Sequence, residues 1–242
     1  MDTVLLKRNR FSNVMDFCRA NGIVPQISKI KVSQALENGV GLYDFDITAD
    51  TVEVPGDVVL NRNDVFIPFS LGVLLTFDDK VKPKGKARLY SYAPMAGVQN
   101  PVGFMTTDIE GLYNGILTQQ VDQTAIMQSF PMEVLKHIGE TEPSILLNGS
   151  DEEVSIGIQG EFDIEKMTHY LVPNIIYQGT MDIKTSVKFE ATGSKFDVAL
   201  ASDPTSAATD KTARISLFMD GILIKNGAFD NIVNGLSAAM AK

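Results

Sequence analysis

Residues whose types and spacing could do chemistry are few in this chain of 242 residues. The two histidines, His137 and His169, sit far apart with no metal-ligand spacing around either. The single cysteine, Cys18, excludes a disulfide framework and a thiolate zinc site, and it reads as a small buried hydrophobe. Asp44 with Asp46, Asp78 with Asp79, and Asp151-Glu152-Glu153 could bind calcium if loop carbonyls joined them, but no EF-hand spacing is present. Solvated loop charge is the other reading of all three. Asn148-Gly149-Ser150 matches a glycosylation acceptor, an incidental match without a secretion signal. No nucleophile elbow, phosphate-binding loop or His-Glu-x-x-His occurs, and Gly39-Val40-Gly41 lacks the third glycine of a dinucleotide site. We therefore expect no catalytic residue, no metal and no cofactor; the chain reads as a non-enzyme.

The basic residues near the N-terminus are more suggestive. Lys7, Arg8, Arg10 and Arg19 outweigh Asp2 and Asp16, so residues 1–19 carry +2 on a chain of net charge −9. A basic arm on an acidic body suggests contact with phosphate or lipid headgroups. A helix with solvated charges, docked on its own protein, is the alternative. The overall acidity argues against nucleic-acid binding by the whole surface.

The elements that must position these residues follow from periodicity. Residues 3–19 read as an amphipathic helix, with Val4, Phe11, Val14, Met15 and Cys18 on one stripe. Asn21-Gly22 and Pro25 end it. From about residue 40 the period becomes 2. Tyr43, Phe45 and Ile47 alternate with Asp44 and Asp46. Residues 52–60 suggest a strand interrupted by Pro55-Gly56. In 65–77, Val65, Ile67, Phe69, Leu71, Val73, Leu75 and Phe77 fall on one face, and Pro68 and Gly72 mark a bulge or bend. Loops are expected at 80–86 and 93–108, with a strand at 88–92 between them. Residues 116–127 alternate again. Pro131 opens a short helix over 132–138 that ends at Gly139. Strands follow at 145–147, 154–164, 170–177, 180–191, 196–201 and 213–225, with a polar loop at 202–211. In the cleanest of them Met181, Ile183, Thr185, Val187 and Phe189 point inward. Phe229, Ile232, Val233, Leu236 and Met240 make a closing amphipathic helix.

This pattern predicts a mainly β protein of packed antiparallel sheets and excludes doubly wound and (β/α)-barrel folds. Hydrophobic residues make up 44%, enough for a real core. The longest apolar stretch, 65–77, is too short to span a bilayer. No signal peptide is recognisable, so the expectation is a protein made in a cytoplasm.

Leu60-Asn61-Arg62-Asn63-Asp64-Val65-Phe66-Ile67-Pro68-Phe69 through Gly72 resembles a strand entry of virion proteins from phages of Bacteroidetes hosts. Leu112-Tyr113-Asn114-Gly115-Ile116-Leu117 and Leu217-Phe218-Met219-Asp220-Gly221 are similar to further strand segments of such proteins. Over residues 40–225 the chain resembles the small major capsid proteins of tailless, membrane-containing, single-stranded DNA phages of flavobacteria. That resemblance implies a minimal double jelly roll: an N-terminal helix and arm (1–35), a first roll (36–138) ending in the short helix, and a second roll (139–242) with the C-terminal helix. A single jelly roll with insertions is the fallback. It also implies a virion location after assembly in the host cytoplasm. The expected partners are the chain itself, as trimeric capsomers in an icosahedral shell, a vertex protein, and an internal membrane or genome met by Lys7, Arg8, Arg10 and Arg19. The rival readings are a single-roll vertex, decoration or receptor-binding protein, and a carbohydrate-binding β-sandwich. The last lacks clustered surface aromatics, since Trp is absent.

Overall fold

The computed structural model describes residues 3–35, 40–48, 54, 56–79, 89–90, 114–135, 144–147, 153–156, 168–171, 175–188 and 211–241. The expected loops 80–86 and 93–108, His137, Gly139, Asn148-Gly149-Ser150, Asp151-Glu152, the strand 196–201 and most of the loop 202–211 lie outside these residues. Helix α1 spans Thr3–Ala20. The strands are β1 (Gln26–Ala35), β2 (Leu42–Asp46), β3 (Val65–Asp79), β4 (Leu89–Tyr90), β5 (Ile116–Val121), β6 (Thr124–Pro131), β7 (Ser144–Leu147), β8 (Glu153–Ile156), β9 (His169–Tyr170), β10 (Tyr177–Gln178), β11 (Ile183–Lys188) and β12 (Lys211–Ile224). Helix α2 spans Asp230–Met240, and a 3₁₀ turn covers Met132–Leu135.

Two sheets carry the fold, one in the order β1-β12-β3-β10 and one in the order β2-β11-β5-β6. Every pairing is antiparallel. Counted along the chain, these eight strands are arranged 1-8-3-6 and 2-7-4-5. That order arises when one long antiparallel ribbon rolls up on itself, and it defines a jelly roll. Short strands β4 and β9 extend the first sheet beside β3, and β7-β8 is a separate hairpin.

Two tandem rolls are not confirmed among the described residues. Strands from before and after residue 138 are each other's hydrogen-bond partners: β12 lies between β1 and β3, and β11 between β2 and β5. The described residues thus build the fallback, one roll with insertions. Residues 26–35, expected in an arm, supply its first strand. As an edge strand β1 buries little beyond Ile30 and Ser33, so its apolar pattern is thin.

Alternation creates two cores. Between the sheets, Tyr43, Phe45, Leu117, Ile183 and Val187 meet Ile30, Phe66, Leu71, Val73, Leu217 and Met219. On the other face of the first sheet, Val14 and Cys18 of α1 and Leu236 and Met240 of α2 cover Val65, Ile67, Phe69, Ile222 and Ile224. The first sheet is therefore buried on both faces, and its central strands read as near-continuous apolar runs for that reason.

A bulge in β3 divides the two cores. The register runs Asp220↔Ser70 and then Gly221↔Pro68, leaving Phe69 unpaired. One extra residue inverts the alternation. Val65, Ile67 and Phe69 therefore face the helices, whereas Leu71 and Val73 face the second sheet. The expected single face is two half-faces. Pro68, which has no N–H to donate, is accommodated at this break. Opposite it the backbones approach closely: a Cβ on Gly221 would lie 2.2 Å from the Ile67 carbonyl oxygen.

Other elements also differ from expectation. Residues 116–127 form a hairpin, not one strand, because Asp122 and Gln123 adopt positive φ (45° and 68°) and turn the chain. The Asp122 carboxylate accepts the Asp182 N–H at 2.9 Å, which anchors a turn without glycine. Among the described residues of 52–60, the strand pairing is the single bridge Lys31↔Val58. The strand expected at 170–177 is two short pieces, and the described part of the central helix is a single 3₁₀ turn. Strand β2, Ile183, Thr185 and Val187 of β11, and Leu236 and Met240 of α2 match the expected faces, whereas Phe229 precedes α2 and is exposed, and Phe189 lies outside the described residues. Gly221→Ala should cost about 2 kcal/mol or more by forcing β12 off β3 at the bulge, read as a lower urea midpoint with an unchanged slope.

Candidate interaction surfaces

Helix α1 is docked, with Val14 and Cys18 fully buried against the first sheet and α2. The ring of Phe17 sits against Gly235 of α2, where any Cβ would clash. Arg10 was expected on a lipid- or genome-facing arm, but it points into the protein and is 6% exposed. One of its guanidinium nitrogens donates to the Leu171 carbonyl at 3.2 Å, and its carbon lies 5.1 Å above the Phe69 ring. Burial draws its pKa down from the ordinary arginine value, and Tyr170 beside it works the other way. The reason for the correction is positional: Arg10 lies one turn before Val14, so it shares the stripe that docks. Arg8 and Arg19 are exposed, and Arg19 pairs with Asp16 at 3.1 Å. Lys7 lies in α1, and its side chain is outside the described set.

Cys18 is buried as expected, and desolvation pushes its thiol pKa up. Native protein should therefore resist thiol reagents such as dithiobis-nitrobenzoate, and full labelling should appear only in denaturant. Rapid labelling of the native protein would show α1 undocked.

The segment that carries the family resemblance is a structural clamp. The Asp64 side chain is buried; its carboxylate accepts the Asn226 N–H at 2.9 Å and the Asn61 amide at 3.2 Å. The Asp64 carbonyl accepts the Gly179 N–H at 3.0 Å. Three chain segments thus converge on one residue: the entry to β3, the exit from β10 and the exit from β12, where Asn226 has φ 50°. A Cβ on Gly179 would lie 1.9 Å from the Asn61 carbonyl oxygen, so glycine is required there.

Between the two sheets the described side chains pack against one another. There the Tyr177 hydroxyl donates to Gln119 Oε1 at 2.6 Å, and Gln119 Nε2 donates to Thr185 Oγ1 at 2.9 Å. All three residues are buried, and burial pushes the Tyr177 phenol pKa up. This chain links β10 of one sheet to β5 and β11 of the other. Sequence reading missed it, since Gln119 is a polar residue at an inward position of the alternation, two residues after Leu117. Tyr177→Phe should cost about 1–3 kcal/mol in urea unfolding, because Gln119 is left with a buried acceptor unpaired. Replacing Gln119 by Leu in the same protein should recover part of that loss.

The outer face of the second sheet carries Asp44, Asp46, Thr118, Gln120, Lys184 and Ser186 along an open groove of about 550 Å³. The structure brings Asp44 and Asp46 together on that face, as expected. Ser186 donates to Asp44 at 2.5 Å, and the Gln34 amide reaches the Asp44 carbonyl. Among the described residues no three His, Cys, Asp or Glu side chains group as a metal site. Asp78, Asp79 and Glu153 lie in strands, not loops. His169 packs beside Phe130, with ring centroids 5.2 Å apart, and burial lowers its pKa. No helix of the described residues is long and apolar enough to cross a membrane.

No family model matches this chain, and no curated protein matches it. The subviral particle of infectious bursal disease virus VP2 aligns with 86% of this chain at 10% identity and a TM-score of 0.20. The chain spans about a third (34%) of the length of that protein. Likeness at this level supports no functional inference.

Proposed function

We propose that this chain is a structural protein of a virion and that it works by associating with copies of itself. The observation that carries the reading is a jelly-roll strand order whose two facing sheets meet, among the described residues, through packed and hydrogen-bonded side chains, from Phe45 and Leu117 to the Tyr177–Gln119–Thr185 chain. Jelly rolls serve as shell subunits, lectins and cupins. A cupin-type site needs an open, ligand-lined barrel, whereas the described side chains between these sheets pack against one another. The viral reading rests on fold analogy together with the resemblance of residues 60–72, 112–117 and 217–221 to phage virion proteins.

The finer reading from that resemblance is a trimeric capsomer over an internal membrane. A two-roll subunit calls for sixteen strands, whereas one eight-stranded roll is described. The single roll favours a second reading within the same class, a single-roll shell, vertex or decoration protein. The burial of Arg10 removes the central cation of the expected lipid-facing arm and weakens the membrane contact in that reading.

Light scattering coupled to size exclusion tests the core claim. Purified protein should elute at a multiple of 26.4 kDa, three for a capsomer, or as particles visible by electron microscopy. A strict monomer at high concentration that binds glycans or turns over a small molecule would overturn it.

A further inference from the structure

The guanidinium of Arg10 is buried but only partly used. Nη1 donates to the Leu171 carbonyl, and one face of the group lies over the Phe69 ring. Nε and Nη2 have no hydrogen-bond partner among the described residues, and no described carboxylate forms an ion pair with the group. A buried donor without an acceptor costs free energy, and a buried charge without a counter-charge costs more. Native proteins leave few such groups, and those that remain call for a missing partner.

The two bare nitrogens belong together. Nε and Nη2 form one edge of the guanidinium, and their N–H bonds run parallel along it. Two parallel donors match the two oxygens of a planar oxyanion. The rest of the group is held in place. Phe69 is the bulge residue, and its carbonyl accepts the Leu171 N–H at 2.9 Å, so the ring under the guanidinium and the carbonyl bonded to it are themselves tied. Phe11, the next residue of α1, packs on the same ring with centroids 5.9 Å apart.

We propose that the Nε–Nη2 edge of Arg10 is a binding site for a small monocarboxylate, held between α1 and the first sheet. Charge selects this class over other oxyanions. One guanidinium balances one negative charge, and a dianion such as phosphate would leave a second charge buried and unpaired. Asp220 adds to that bias. It lies on the helix-covered face of β12, between the rows of Phe218 and Ile222 and opposite Ser70, and its buried Oδ1 also lacks a partner among the described residues. A carboxylate already on that face repels a second negative charge on the ligand. Arg10, Val14 and Cys18 share one stripe of α1, so an occupied fork clamps the helix onto the sheet. The site is independent of the shell reading and survives its failure.

The test uses the full chain, with sodium acetate replacing sodium chloride at fixed pH and ionic strength. Acetate should raise the thermal midpoint with the concentration dependence of a single site, and inorganic phosphate should raise it less. Thiol labelling of Cys18 in the native protein requires α1 to lift. It should slow about tenfold at an acetate concentration about ten times the dissociation constant. Arg10→Lys keeps the charge but has no fork, so both responses should vanish. Arg10→Met should lose both as well, and it decides the matter if the lysine variant fails to fold. Saturation-transfer NMR of acetate with the unmodified chain reads binding without any variant. Absence of a response or of saturation transfer in the unmodified chain, an equal response in a folded Arg10 variant, or a stronger response to phosphate than to acetate would each overturn the proposal.

Discussion

Where β12 crosses Pro68 and Ser70 of β3, Phe69 has no partner on β12, and that one extra residue turns the strand over. Below the bulge β3 supplies Val65, Ile67 and Phe69 to the helices; above it, Leu71 and Val73 enter the roll. The constraint is mutual. Gly221 permits the two backbones to approach at this point, and the approach sets the register of a pairing that runs from Lys211 to Ile224. Because β12 also pairs with all of β1, the register of the first sheet follows from this contact.

The closure of the roll depends on polar groups placed where hydrophobic burial alone would not choose between arrangements. Apolar packing is non-directional and tolerates slippage. The Tyr177–Gln119–Thr185 chain has one satisfied geometry, and a slip by one residue would bury its acceptors unpaired. Asp64 does the same at the end of the roll, tying three chain segments through directed hydrogen bonds. Side-chain hydroxyls also join the sheet edge, where Ser33 and Ser216 lie 2.8 Å apart and Asp57 takes the Ser33 hydroxyl.

The outside has a distribution of its own. One face of the first sheet is sealed by two helices, and the outer face of the second sheet is polar, with carboxylates, amides and hydroxyls in rows across β2, β11 and β5. Arg10, which gave the N-terminus its basic character, is stacked on the bulged Phe69 and bonded to Leu171. Its Nε and Nη2 have no hydrogen-bond partner among the described residues.

Much of the local structure was legible from residue order. Period-2 alternation revealed β2 and β11 and which side chains they bury, and the 3.6 period revealed α1 and α2. Those patterns are set by one face meeting water and one meeting a core. Pro68 marked the bulge, though not its effect on which core each half of β3 serves. Strand β1 and the turn at Asp122-Gln123 were not legible: an edge strand buries too little to show a pattern, and that turn is held by a hydrogen bond to Asp182, distant in sequence. The burial of Arg10 was not legible, because helical spacing alone does not say which face docks. Sequence alone determined a mainly β chain with helices at both ends. Only the tertiary structure decided that β12 returns between β1 and β3, making one roll, because strand partnership is fixed by long-range backbone hydrogen bonds and close approaches such as Gly221 on Ile67, which leave no local trace.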